Sequence, residues 1–217
     1  MSLPILYSFK RCPYAIRARM ALAFAQIDHI HREIDLKNKH PIFLETSPKG
    51  TVPVLVNKDE DLLLDESYDI VYHALSQRQP DHWAPINVLD HKDSLDWLDE
   101  LQTSFIPAVR RIKYAMPPDS INQADQIQAN AFLKKLNIIL RSQNTLYKNP
   151  SIIDILLFPN IRQLTIHDPT WTKKYALSGV ERWISFWCNH QVFKKIFVTQ
   201  PVWDEQQTPI EILHDKD

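Results

Sequence analysis

Glycine and cysteine are almost missing from this chain, with two of each among 217 residues. A loop that cradles phosphate needs glycines close together. Gly50 and Gly179 stand far apart, so neither a nucleotide-binding loop nor a dinucleotide fingerprint is present. Cys12 and Cys188 alone cannot build the disulfide framework of a small secreted domain or an all-cysteine zinc site. An excess of one charge is lacking too. Lys and Arg number 25 against 26 Asp and Glu, spread along the chain, which argues against a nucleic-acid or acidic-membrane footprint. No apolar run reaches the ~18 residues of a membrane span. The opening "MSLPILYSFKRC" has too short an apolar part, wrongly flanked, for a signal peptide. A cytoplasmic protein with no nucleic-acid or membrane partner is expected. The nine histidines are scattered. His29 and His31 would share one face of a strand and are expected to be exposed. No carboxylate-rich segment completes a metal site around them, so no metal is expected.

What is present falls into two halves. Residues 1–78 alternate short strand-like and helix-like stretches in the order β-α-β-α-β-β-α, an α/β signature. "LPILYSF" reads as a strand, and Pro13 opens a helix where its missing N–H costs nothing. Ile16, Met20, Phe24 and Ile27 share one helical face, with Arg17 and Arg19 pointing elsewhere. "HIHREIDL" alternates as a half-buried strand, "PIFLETSPK" is a short helix running into a turn at Gly50, and "VPVLV" is a buried strand. "KDED" makes a polar turn before "LLL", and "ESYDIVYHALSQ" is a helix ending before Pro80. Residues 79–88, rich in proline, read as a linker. Residues 89–217 read as all-helical. One long helix over 89–115 carries Leu95, Leu98, Leu101, Phe105 and Ile112 inward and a kink at Pro107. A second covers 121–142. A third, from "SIIDILLFPNIRQLTI", is apolar on nearly every side and so is the buried centre of this half. "GVERWISFWCNHQVFKKIF" supplies one or two more.

Cys12 lies after a strand and before the proline-initiated helix. First-turn N–H groups and the helix dipole favour its thiolate, as would Lys10 and Arg11 if close, which would make it a nucleophile near neutral pH. Cys188, inside "WISFWCN", is assigned to packing. In "CPYA" an alanine replaces the second cysteine of a redox pair. Any chemistry at Cys12 is therefore monothiol, with its partner thiol coming from solution.

"CPYAIRARMAL", "LKNK" ending at Lys39, "SPKGTVPVL", "DES" at 65–67 and "SIIDILLFPNIRQ" occur in an order that resembles the cytosolic glutathione transferase superfamily. The similarity is closest to its cysteine-type, omega-like bacterial members and covers nearly the whole chain. The resemblance implies a thioredoxin-like N-terminal domain, an all-α C-terminal domain and a homodimer. It implies that Cys12 faces the glutathione sulfur and Tyr14 belongs to the same site. Val52 pairs through its backbone with the cysteinyl part, like an added strand, before a cis Pro53. Glu66 and Ser67, at a helix start, take the γ-glutamyl ammonium and carboxylate, although Ser67 could equally cap the helix. Lys39 pairs with the glycyl carboxylate. Phe105, Val109 and Tyr114 would line a substrate pocket between the domains. Ser151 and Asp154 match the capping pattern of the buried helix, a folding rather than a catalytic feature.

A cysteine at the first-helix position implies glutathione-dependent thiol transfer through a Cys12 mixed disulfide, acting on a small disulfide or electrophile, with weak conjugation of aryl halides. Glutathione is then a substrate. Two alternatives stay open: a conventional transferase conjugating glutathione to electrophiles, and a transferase-fold binding protein without catalysis.

Overall fold

The computed structural model describes residues 2–116 and 122–214. Residue 121, the expected start of the second long helix, and 215–217, the end of the expected helical domain, lie outside the described residues. The chain forms two compact units, one comprising residues up to Asp81 together with those from Gln191 onward, the other His82–His190.

The first unit follows the expected order. It runs β1 (Ile5–Ser8), α1 (Pro13–Phe24), β2 (His29–Glu33), α2 (Pro41–Thr46), β3 (Val54–Asn57), β4 (Leu62–Leu64) and α3 (Ser67–Gln77). The strands stand in the order β4-β3-β1-β2. β1 runs parallel to β2, with Ile5 opposite Ile30 and Ser8 opposite Glu33, and antiparallel to β3. Two-residue alternation therefore puts Leu6, His29, His31 and Glu33 on one face and Ile5, Tyr7, Ile30 and Arg32 on the other. The "KDED" turn is a short 3₁₀ segment, Lys58–Glu60, followed by Asp61 in the left-handed region at φ 51°.

Two expectations fail here. His29 and His31 are 3% and 4% exposed, not solvent-facing. Their polar atoms are matched locally, His29 Nδ1 to the Ile27 carbonyl at 3.0 Å and His31 Nε2 to the Glu33 carboxylate at 3.0 Å. Arg17 and Arg19 do not turn away from the core either. α1 is buried on both sides, and they are 6% and 4% exposed. Arg19 satisfies its guanidinium on backbone carbonyls, donating to Lys10 O at 2.6 Å and Ile196 O at 3.1 Å.

The second unit is helical. The expected continuous helix over 89–115 is divided into α4 (Lys92–Glu100), a π-helical turn (Leu101–Phe105) and α5 (Ile106–Lys113). The widened turn sits immediately before Pro107, whose ring would clash with the carbonyl one turn back and which has no N–H to give. This division shifts the inward face. Leu95 is 53% exposed, and Ser94 is fully buried instead, bonded to the Tyr147 hydroxyl. α6 (Gln123–Leu140) and α7 (Ile152–His167) follow, then the short α8 (Trp171–Lys174) and α9 (Ser178–Asn189). α7 is buried on all sides over its first ten residues, as its uniformly apolar sequence requires.

Its start is closed by the expected capping box between Ser151 and Asp154. Asp154 does more than cap. Its Oδ1 also accepts from Leu146 N at 3.1 Å and from Trp183 Nε1 at 2.8 Å. α9 begins without a side-chain cap of its own, and Asn137 of α6 supplies one, its Oδ1 accepting from Gly179 N at 2.8 Å. A Cβ on Gly179 would sit 2.7 Å from the Leu140 backbone carbon, so only glycine lets α9 approach this closely.

The all-helical reading of everything after residue 89 also needs correcting. From Gln191 the chain rejoins the first unit. It forms α10 (Gln191–Ile196), which packs on α1. It then forms β5 (Ile210–Ile212), antiparallel to β2 with Ile212 opposite His29. The return gives β2 a neighbour on what would have been an open edge. Among the described residues no helix is long and apolar enough to cross a membrane, and no group of three or more His, Cys, Asp or Glu could hold a metal ion.

Candidate functional site

Cys12 is the residue just before α1, with extended backbone, and Pro13 takes the first helical position. Its carbonyl accepts from Ile16 N at 2.9 Å, which starts the helix on the cysteine itself. The half-buried thiol donates to the Val52 carbonyl at 3.6 Å. The Val52–Pro53 peptide bond is cis, as the resemblance implied, and Cys12 packs against the apolar cluster that contains Val52, Val54, Phe43 and Tyr7.

The thiol's environment departs from expectation. Burial pushes the Cys12 pKa above its ordinary value. The amides of Ala15 and Tyr14, then the charges of Arg19 and Arg17, pull the other way and do not overcome it. No amide closes a capping hydrogen bond onto the sulfur, so the helix start offers polarity at longer range rather than a full oxyanion-type clamp. The expected ionised thiol is therefore a protonated one. Nor are the cations those expected. Lys10 donates to Thr199 and lies over the Phe197 ring at 5.3 Å, and Arg11 lies over Phe9 at 5.6 Å.

Arg17 links the sulfur to the start of α3. Its Nη1 donates to the Ser67 hydroxyl at 3.3 Å, and its guanidinium lies over the Tyr14 ring at 5.0 Å. Burial draws its pKa down to about 10, so it stays cationic at neutral pH. Ser67 is the first residue of α3, and Glu66 is the residue before the helix. The capping role open to Ser67 is not taken up. No side chain closes this helix start, and the Ser67 hydroxyl accepts from Arg17 instead. Glu66 is exposed and paired with Lys49 at 3.0 Å, and Lys49 also reaches Asp65 at 2.9 Å.

Lys39 reaches the same loop. Gly50 is in the left-handed region at φ +58°, and a Cβ there would lie 3.3 Å from Lys39 Nζ and 3.1 Å from Leu44. The left-handed turn favours glycine at this position, whereas the two contacts are with side-chain ends that a few tenths of an ångström would relieve. The structure thus joins Cys12 to Val52, Tyr14 to Ser67 through Arg17, and Lys39 to the loop before Val52. Sequence reasoning missed Arg17 and Lys49. The helical pattern puts Arg17 off the apolar face, and nothing in that pattern signals that α3 will bury it.

The three residues expected in a substrate pocket lie in the helical unit. Phe105 is fully buried against Phe132, ring centres 4.8 Å apart, so it packs the core of that unit. Val109 is 4% exposed and Tyr114 66% exposed. Cys188 is half-buried, its pKa raised by burial.

Residues 6–83 match the family model of the glutathione S-transferase N-terminal domain. The chain is 29% identical to mouse glutathione S-transferase omega-1 over 166 residues, 73% of this chain and 66% of the mouse protein. Less than two thirds of that relative's own length is thereby spanned. Among solved structures, glutathione transferase Omega 3C from Trametes versicolor is similar with TM-score 0.73 and 20% identity, covering 93% of this chain and 91% of that one. A glutathione transferase from Pseudomonas putida, solved with one glutathione disulfide bound per subunit, is similar with TM-score 0.73 and 16% identity over 90% of each chain.

Proposed function

We propose that the chain is a cytosolic glutathione S-transferase with affinity to the omega class, on its match over residues 6–83 and its omega-class relatives, and that it catalyses glutathione-dependent thiol transfer through Cys12. The observation that carries this reading is the Cys12 sulfur, 3.6 Å from the Val52 carbonyl, at the head of a proline-initiated helix and without a second thiol beside it.

In the proposed reaction the Cys12 thiolate attacks the glutathionyl sulfur of a mixed disulfide. The substrate S–S bond breaks, a Cys12–glutathione disulfide forms, and the substrate leaves as a thiolate that takes up a proton. The thiolate of a second glutathione then attacks that disulfide, freeing Cys12 and forming oxidised glutathione. The backbone of Val52 pairs with the cysteinyl part. The uncapped N–H groups of α3, the Ser67 hydroxyl and the Arg17 charge hold the γ-glutamyl carboxylate. Glu66 exchanges Lys49 for the ammonium; an exposed ion pair of this kind is weak enough to give way. Lys39 meets the glycyl carboxylate, and Tyr14 flanks the site.

The protonated state of Cys12 fits a substrate-coupled step. The thiol is held by its hydrogen bond to Val52 O. A peptide N–H that takes over this carbonyl removes one acceptor from the thiol; the amides and arginines then act against burial, which raises the pKa most. Replacing Cys12 by Ala should abolish reduction of a glutathionylated substrate, while glutathione affinity stays within about threefold. Retained turnover would refute the assignment.

The same protonated thiol favours a second reading, conventional conjugation, in which the S–H donates to the thiolate of bound glutathione as a hydroxyl would. A turnover with a chloronitrobenzene exceeding that with a mixed disulfide would select it. A protein acting as a homodimeric binding module without catalysis would instead show neither activity.

A further inference from the structure

On the sheet face shared with α2, the returning C-terminal segment leaves a recess of about 330 Å³. Its floor is the row Ile5, Tyr7, Ile30 and Arg32, and the segment from Trp203 to Ile210 forms one wall. None of the residues assigned above to glutathione lines it.

Arg32 is the anomalous member of that apolar row. Its guanidinium is fixed in place. Nη1 donates to the Tyr7 hydroxyl at 2.7 Å, and Cζ lies 4.1 Å from the centre of the Trp203 ring, a close cation–π contact. Yet Nε is buried and makes no hydrogen bond. Among the described residues no carboxylate pairs with Arg32. A buried guanidinium N–H with no acceptor is a costly arrangement that an incoming anion would relieve. Lys58 lines the same recess, exposed at its rim and likewise without an acidic partner among the described residues. Glu205 supplies negative charge to the lining, and its carboxylate lies 3.5 Å from His40 Nε2. The remaining lining is mixed: Ile42, Val56, Pro209 and Ile210 are apolar, whereas Thr46, Gln207 and Thr208 are polar and uncharged.

We propose that this recess binds a small monocarboxylate with an apolar ring body, the carboxylate on Arg32 Nε with Lys58 as second cation and the ring against the aliphatic walls. A free phosphate fits less well, because Arg32 has already committed Nη1 to Tyr7 and phosphate makes no use of the aliphatic side chains of Ile42, Val56 and Ile210. The site owes its existence to the C-terminal return and is independent of the reaction at Cys12.

The test is calorimetric titration of the full chain with 2-naphthoate while S-methylglutathione saturates the other site. The expected result is a single saturable site. The uncharged isostere 2-naphthamide should bind at least about tenfold more weakly, Arg32→Gln should weaken binding about tenfold or more, and Lys58→Gln about threefold. Circular dichroism checks the fold of Arg32→Gln. The amide comparison on the unaltered protein and the rim variant Lys58→Gln decide the matter even if Arg32→Gln does not fold. Absence of saturable binding, equal affinity for acid and amide, displacement of the probe by S-methylglutathione, or tighter binding of inorganic phosphate would each overturn the proposal.

Discussion

The Cys12 thiol donates to Val52 O in surroundings where burial outweighs two amides and two arginines. Its alkylation by iodoacetamide should consequently be slow at neutral pH and keep rising beyond the ordinary thiol value of 9.0. A plateau below pH 8 would show the thiolate already formed. His29 makes a second prediction at the same scale. Burial lowers its pKa to about 4 from an ordinary 6.5. The unfolded chain therefore binds the extra proton first as pH falls. The stability contributed by keeping His29 neutral is fully present above pH 6.5 and is lost as pH drops toward 4, by up to about 3 kcal/mol. Urea unfolding followed across this range should show that loss, and His29→Gln should flatten it. An unchanged slope in the variant would mean that another group governs acid sensitivity.

At the scale of elements, Asp154 holds together more than its own helix. Its carboxylate accepts from Ser151 N and Oγ, Leu146 N and Trp183 Nε1, tying the start of α7 to α9 and to the loop before α7. Burial pushes its pKa up against these donors. Asp154→Asn turns an N–H group toward one of them and should cost about 3 kcal/mol, seen as a lower thermal midpoint with glutathione affinity unchanged. A midpoint within a degree of the parent would leave Asp154 a local cap only. Ser151 and Asp154 were legible from sequence because a capping box is a local pattern, three residues apart. Trp183 as a partner was not, since nothing in "ERWIS" says where its indole N–H will point. The break before Pro107 was legible as a kink, but not as a π-helical turn that moves Leu95 outward and Ser94 inward.

For the molecule as a whole, the order of strands and helices along the first 78 residues followed from alternating periodicities. The C-terminal return did not. "IEI" is three residues long, too short for a period to stand out, and it is a strand only because β2 offers it an edge. The grouping of Cys12, Val52 and Ser67 in one site came from the family resemblance; local patterns show only that Cys12 precedes a helix and that Ser67 lies at a helix start. Arg17 could not be placed with them, because its burial depends on α3 packing over α1. The proposed function rests on one covalent step at Cys12. Intact-mass spectrometry after incubation with oxidised glutathione tests it most directly. A single adduct of about 305 Da mapping to Cys12, absent in Cys12→Ala and removed by reduced glutathione, is the predicted result. An unmodified Cys12, or an adduct that reduced glutathione cannot remove, would contradict the account.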